Sequence, residues 1–233
     1  MNILTNFKNI TKSFIALAAL SVTLAACSKD KDYTPPPISG LNVIHASPTT
    51  EKLDIYVENT KANTAEFAFG NKIGYLNLYS GSRRLVTTKK GITTTLLTQD
   101  FVLEDQKIYS LFIYDKFDAV KYLMIKDEIT APAAGKAKIR FVHLCPDALA
   151  LNLNIAGKDT DIFTNKSFKA YTDFVDIDPA EKVTFNVKNK ADGTLATKIQ
   201  DVKIEAGKVY TVWVKGLKAA ADDTKLAVAV FQH

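Results

Sequence analysis

Val43-Ile44-His45-Ala46-Ser47-Pro48 returns as Phe141-Val142-His143-Leu144-Cys145-Pro146, an offset of 98 residues. The same offset pairs Leu53-Asp54-Ile55-Tyr56-Val57 with Leu151-Asn152-Leu153-Asn154-Ile155. Farther on, the stretch from Gln99 to Tyr109 matches the stretch from Gln200 to Tyr210 at an offset of 101. So small a drift is what loop insertions between fixed strands produce, and an internal repeat constrains a fold before any single motif does. Two domains are expected, 40–130 and 136–233, joined by Ile129-Thr130-Ala131-Pro132-Ala133-Ala134-Gly135, a small-residue hinge punctuated by Pro and Gly. Each unit is long enough to bury a core without disulfides.

Within each unit the apolar period is two. Leu53, Ile55 and Val57 alternate with Asp54, Tyr56 and Glu58, and Val183, Phe185 and Val187 alternate with Thr184, Asn186 and Lys188. Such strands bury one face. Tyr109-Ser110-Leu111-Phe112-Ile113 and Val209-Tyr210-Thr211-Val212-Trp213-Val214 are apolar on both faces and suit central strands. Turn signals at Tyr79-Ser80-Gly81, Asp178-Pro179 and Asp192-Gly193 separate the runs. The pattern predicts an all-β chain of two tandem immunoglobulin-like antiparallel β-sandwiches, about seven strands each. Tyr210, set just after the Glu205-Ala206-Gly207-Lys208 turn, is placed to bond back across the corner as a tyrosine corner does. The first unit keeps Tyr109 but has Gln106 in place of the glycine.

Ahead of the repeats, residues 1–26 read as a cationic segment followed by an apolar run from Phe14 to Ala26. That run is too short for a hydrocarbon core, which needs about 20 residues, and it has the layout of a signal peptide. Leu24-Ala25-Ala26-Cys27 resembles a bacterial lipobox, which implies cleavage before Cys27 and acylation of that residue. Several acyl chains anchor a protein to a membrane stably where one does so marginally. Residues 27–39 then form a lipidated tether. Its Ser28-Lys29-Asp30-Lys31-Asp32 resembles export tags of Bacteroidetes-type lipoproteins, implying an outer-membrane, cell-surface location, and Pro35-Pro36-Pro37 favours extended geometry.

Composition removes several function classes. With 47% hydrophobic and 24% charged residues the chain is not a disordered one. Its net charge of +5 includes Lys8 and Lys12 of the leader, so no concentrated basic face is left for nucleic acid. Two cysteines and three histidines, the latter far apart, give no metal-ligand spacing, and no cofactor is implied.

A strand ending in His-x-Ser-Pro, then a Leu-Asp-Ile-Tyr strand and a late turn-Lys-x-Tyr strand, in tandem behind a lipobox, is similar to the bacterial domain of unknown function numbered 4397. His45, Ser47, Pro48 and Asp54 fit the pattern, whereas the second unit has Cys145 and Asn152 at two of those places. The resemblance implies an extracytoplasmic β-module and no known reaction.

The candidate chemistry is modest. His45 with Ser47, and His143 with Cys145, share a strand face and suggest a nucleophile and base, hence a hydrolase as the alternative function. Both rings, however, continue the apolar faces of Val43 and Phe141, and no oxyanion turn or third group accompanies them, so the motif residues, Pro48 and Pro146 included, read as structural with each histidine bonded to a turn carbonyl. Cys145 reads as a small buried hydrophobe, and Asp100, Asp201, Glu104 and Glu205 as turn or solvated carboxylates. Tyr56 and Tyr79 are the aromatics placed to face a glycan or protein partner. The expected function is therefore a non-enzymatic, lipid-anchored binding or envelope-assembly module, with a structural spacer as the other alternative.

Overall fold

The computed structural model describes residues 35–233; the signal peptide, Cys27 and the tether up to residue 34 lie outside the described residues. Pro37–His233 gathers into one compact unit. Its first half contains β1 (Ile38–His45), β2 (Leu53–Val57), β3 (Thr60–Lys61), β4 (Lys72–Tyr79), β5 (Gly81–Lys89), β6 (Thr95–Leu103), β7 (Ile108–Tyr114) and β8 (Lys121–Lys126). The second half contains β9 (Ala137–His143), β10 (Leu151–Ile155), β11 (Asp161–Lys166), β12 (Val175–Ile177), β13 (Ala180–Asn189), β14 (Leu195–Ile204), β15 (Val209–Lys215) and β16 (Ala227–Gln232).

Each half is a sandwich of two four-stranded sheets. The orders β4-β1-β7-β8 and β3-β2-β5-β6 recur as β12-β9-β15-β16 and β11-β10-β13-β14. Each sandwich thus has one strand more than turn spacing suggests, because each contains a strand too short to leave a periodic signature, β3 of two residues and β12 of three. The pairings β1 with β7 and β9 with β15 are parallel, the chain having crossed to the other sheet and back between them, and the remaining pairs are antiparallel.

The alternating strands bury the faces their sequences specify. Leu53, Ile55 and Leu85 of one sheet meet Leu41, Val43 and Leu111 of the other. In the second half Leu153, Phe185 and Val187 meet Ile139, Phe141 and Val212. Full burial of each such side chain is worth about 1.5–3 kcal/mol. Asp54, on the face expected to be solvated, is instead buried: Lys61 Nζ stands 2.7 Å from its Oδ1 and the Gly91 N–H donates to Oδ2 at 3.0 Å. Both contacts favour the charged form, and the carboxyl lies below its ordinary range although burial opposes this.

A third core joins the halves. Ile44, Phe112 and Ile125 of the first pack against Val142, Leu144, Trp213 and Phe231 of the second. This explains why β7 and β15 are apolar on both faces, since each covers its own sandwich on one side and the other sandwich on the opposite side. Register makes the contact quasi-symmetric. His45 opposes Ile113 as His143 opposes Val214, so Phe112 and Trp213 are equivalent positions, and their rings face each other 5.7 Å apart. Two residues on, Tyr114 meets Phe168 edge to face at 5.7 Å, while its equivalent Lys215 lies 4.6 Å over Phe69.

Both tyrosine corners form. The Glu104 N–H donates to Tyr109 Oη and the Glu205 N–H to Tyr210 Oη, each at 3.1 Å. Gln106 takes φ +56° where Gly207 takes +78°, so the first corner keeps the turn at the cost of a strained non-glycine residue. Tyr109→Phe and Tyr210→Phe each leave a backbone N–H unpaired, and each is expected to lower the unfolding free energy in urea by about 1–1.5 kcal/mol.

Candidate functional site

The repeated His motif is sealed in the fold. His45 and Ser47 are both fully buried, and neither the ring nitrogens of His45 nor the Ser47 hydroxyl has a hydrogen-bond partner among the described residues. His45 lies against Phe67, ring centroids 5.5 Å apart, and burial lowers its pKa to about 4. The bond to a turn carbonyl expected for the histidines is present in the second half, where His143 Nε2 reaches Leu149 O at 3.1 Å and Nδ1 accepts the Cys145 N–H at 3.3 Å. His45 lacks a counterpart bond within hydrogen-bond distance. Pro48 is buried and Pro146 half-buried, both closing the turn after the motif.

Cys145 is fully buried and its thiol donates to Asp147 Oδ1 at 3.1 Å. Burial and that carboxylate push the thiol up to about 12, so it stays protonated and unreactive. The Asp147 carboxylate is occupied in turn by the N–H groups of Lys218 and Ala219 at 2.7 and 2.9 Å. The repeated acids behave as solvated ion pairs: Asp100 with Arg84, Glu104 with Lys126 and Glu205 with Lys203. Among the described residues no group of three or more His, Cys, Asp and Glu side chains is arranged to hold a metal ion. Neither the His45/Ser47 pair nor the His143/Cys145 pair presents an exposed nucleophile.

A buried polar cluster between the halves was not legible in the repeat. Arg140, 1% exposed, donates from Nε to Thr211 Oγ1 at 2.8 Å and from Nη2 to Ser110 Oγ at 3.0 Å. Its Nη2 also lies 2.7 Å from Asp127 Oδ1, a charge contact outside hydrogen-bond alignment. Tyr75 and Ser110 donate to the other carboxylate oxygen at 2.8 and 2.9 Å, and His233 closes the ring, bonding Tyr75 Oη at 2.6 Å and Thr211 Oγ1 at 2.7 Å. Burial pushes the Asp127 carboxyl up, and its donors pull it back. The cluster positions one sandwich on the other. The sequence signal available was Arg140 standing at the repeat position occupied by Asn42.

The open concavity of the first half lies where the two sheets part. β3 and β4 are outer strands of opposite sheets, and between them a groove of about 520 Å³ has Val57, Ala62, Leu76 and Leu78 as its apolar floor. Thr60 and Asn77 line it as neutral polar groups and Lys61 and Glu58 as charged ones, the Glu58 Oε1 accepting the Arg84 N–H at 3.1 Å, with Tyr79 and Arg83 at the sheet-to-sheet corner. Tyr79 is 62% exposed. Gly81, at φ +98°, lets the chain turn sharply from β4 into β5 at this corner. Arg83 is fixed there by three backbone carbonyls, donating from Nε to Tyr79 at 2.7 Å, from Nη1 to Ser82 at 2.7 Å and from Nη2 to Ser80 at 2.9 Å. Tyr56, paired with it at the sequence level, is half-buried opposite Lys61 and Val86 and does not line the groove.

The second half has the equivalent groove, about 430 Å³, with Ile155, Ile162 and Ile177 in its floor. Its rim differs. Val57 pairs with Leu85 as Ile155 pairs with Phe185, which puts Val183 where Arg83 stands. Ser39 pairs with Leu78 as Ala137 pairs with Ile177, which puts Asp178 where Tyr79 stands.

Residues 39–154 match the family model described as "Domain of unknown function (DUF4397)". No curated protein matches the chain. Among solved structures, the C-terminal domain of AlgF from P. aeruginosa is 21% identical, covering 42% of this chain and 99% of its own, with a TM-score of 0.32. A family 26 carbohydrate-binding module from Eubacterium rectale Amy13K, in complex with maltoheptaose, is 14% identical over 84% of this chain and 97% of its own, with a TM-score of 0.28. A family 41 carbohydrate-binding module from streptococcal virulence factors is 13% identical over 82% and 96%, with a TM-score of 0.26. Likenesses this loose carry no argument about the ligand.

Proposed function

Because residues 39–154 of the chain belong to the DUF4397 family, a membership that assigns no reaction, we propose from the groove itself that the protein is a non-enzymatic binding module for an extracytoplasmic glycan. The observation that carries this reading is the groove of the first half: an apolar floor, hydrogen-bonding side chains that include Thr60, Asn77 and the charged Glu58 and Lys61, and an exposed aromatic ring at its end. A flat ring beside placed polar groups is the chemistry that holds a sugar, whose faces are apolar and whose edges are hydroxyls. The burial of His45 and Ser47 argues against the hydrolase alternative.

In the same reading the chain is a lipoprotein, cleaved before Cys27, acylated on that residue and anchored in the outer membrane at the cell surface, with 40–130 and 136–233 as tandem copies of one module. The lipobox and the charged tether support the anchor, and the recurrence of both sheet orders supports the duplication. Affinity electrophoresis through polysaccharide-containing gels tests the binding: the full mature chain is expected to be retarded, and Tyr79→Ala to bind about tenfold more weakly. Radiolabelled palmitate is expected to enter the chain and to be lost in Cys27→Ser. Migration unaffected by any polysaccharide would leave the spacer reading ahead.

A further inference from the structure

We infer that the glycan held by the first groove is acidic, its carboxylate read by Arg83 while Tyr79 covers a sugar face; this rests on the glycan reading above. Of the five N–H groups of the guanidinium, three are spent on the carbonyls of Tyr79, Ser80 and Ser82. The remaining two belong to the Nη groups of a side chain that lines the groove. No carboxylate among the described residues lies within ion-pair distance of it, whereas Lys61, the other cation of the groove, is already paired with Asp54 at 2.7 Å. A guanidinium fixed at three points has little rotamer freedom left to lose on binding, and its planar fork matches a carboxylate.

The second half supplies a contrast within the same molecule. Its groove keeps the apolar floor but has Val183 in place of Arg83 and Asp178 in place of Tyr79, so it presents a carboxylate where the first presents an aromatic ring. Asp178 is already paired with Lys136 at 2.5 Å. The second groove is lined by the lysines Lys158 and Lys182, so what it lacks is a guanidinium held at three points beside an aromatic ring. These two are present together only at the first groove, as expected if they serve one ligand.

Titration calorimetry of the full mature chain against galacturonate, glucuronate and mannuronate oligosaccharides, each beside its carboxyl-reduced form, tests the inference. At least one uronate series is expected to bind at least tenfold more tightly than its reduced form, the value of a charge-assisted hydrogen bond. That difference should shrink with added salt. Arg83→Gln should weaken each uronate at least tenfold more than its reduced form and so erase the difference between them, with Arg83→Lys between. The ligand comparison needs no variant, so it stands even if Arg83→Gln unfolds the corner. Equal binding of uronate and reduced sugar would overturn the acidic ligand while sparing the glycan reading. Polyglutamate bound as tightly as any uronate would point to an acidic peptide and overturn it too, and no saccharide binding at all would overturn both.

Discussion

Arg140→Met is expected to lower the unfolding free energy by about 3–5 kcal/mol, because it strands the Asp127 carboxylate in the interior without its guanidinium. Both side chains are essentially inaccessible, at 1% and 0% exposure. Tyr75 and Ser110 would still donate to one oxygen, but Oδ1 would keep nothing. Met follows the aliphatic stem of Arg, so the loss reports on charge rather than on a cavity. Adding Asp127→Leu to the same chain should restore most of the stability, since an apolar pair of similar volume replaces a buried ion pair at little cost. Urea unfolding of the wild type, both single variants and the double variant makes the cycle. If the double variant is as unstable as the sum of the singles, the pair is not coupled and the account of how the sandwiches are joined fails.

Acidification from pH 7 to pH 4.5 is expected to remove several kcal/mol of stability through the histidines. All three have pKa values lowered chiefly by burial: His45 to about 4, His233 to about 3, and His143 in the same direction. An unfolded imidazole takes its proton near 6.5 while the folded one refuses it. The contribution is therefore fully present above about pH 6.5 and is lost as the pH falls toward 4 and 3. At pH 4.5, His45 and His233 should each account for roughly 2–3 kcal/mol. Around His233 stand Arg140, Lys72, Tyr75, Thr211 and Asp127, so a proton arriving there meets two cations and one carboxylate. Asp127 opposes the trend, since burial holds its carboxyl above the ordinary range. Urea midpoints between pH 7 and 4.5 should fall steadily, and less steeply in His45→Gln and His233→Gln. A flat series would show that these rings are reached by protons without unfolding.

Periodicity of two and the offset repeat were sufficient for the fold class. Leu53, Ile55, Val57, Val183, Phe185 and Val187 lie on the buried faces their alternation assigns, and Tyr109 and Tyr210 form the same corner bond despite Gln106. Alternation is local, and burying one face of a pleated strand follows from which residues are apolar. The same logic misplaced what depends on distant partners. Arg140, between Ile139 and Phe141, reads as a residue of the solvated face, yet that face is covered by the other sandwich. Asp54 reads as exposed until Lys61 and Gly91 are brought beside it.

For the candidate site, Tyr79 was legible because a large aromatic beside a Ser-Gly turn has little core to enter. Tyr56 was not separable from it, since strand alternation gives a face but cannot tell whether a neighbouring element covers that face. Arg83 carried no signal, because its three carbonyl partners come together only where the chain crosses from one sheet to the other. The sequence by itself determined two β-sandwiches, their inward faces and their corner tyrosines, all consequences of local patterning repeated twice. Only the tertiary structure decided that the sandwiches share a core around Phe112 and Trp213, that a buried ion pair joins them, and that one of two equivalent grooves carries an unpaired guanidinium among the described residues. Those features depend on residues far apart in the chain meeting across a desolvated boundary, and no periodicity encodes that meeting.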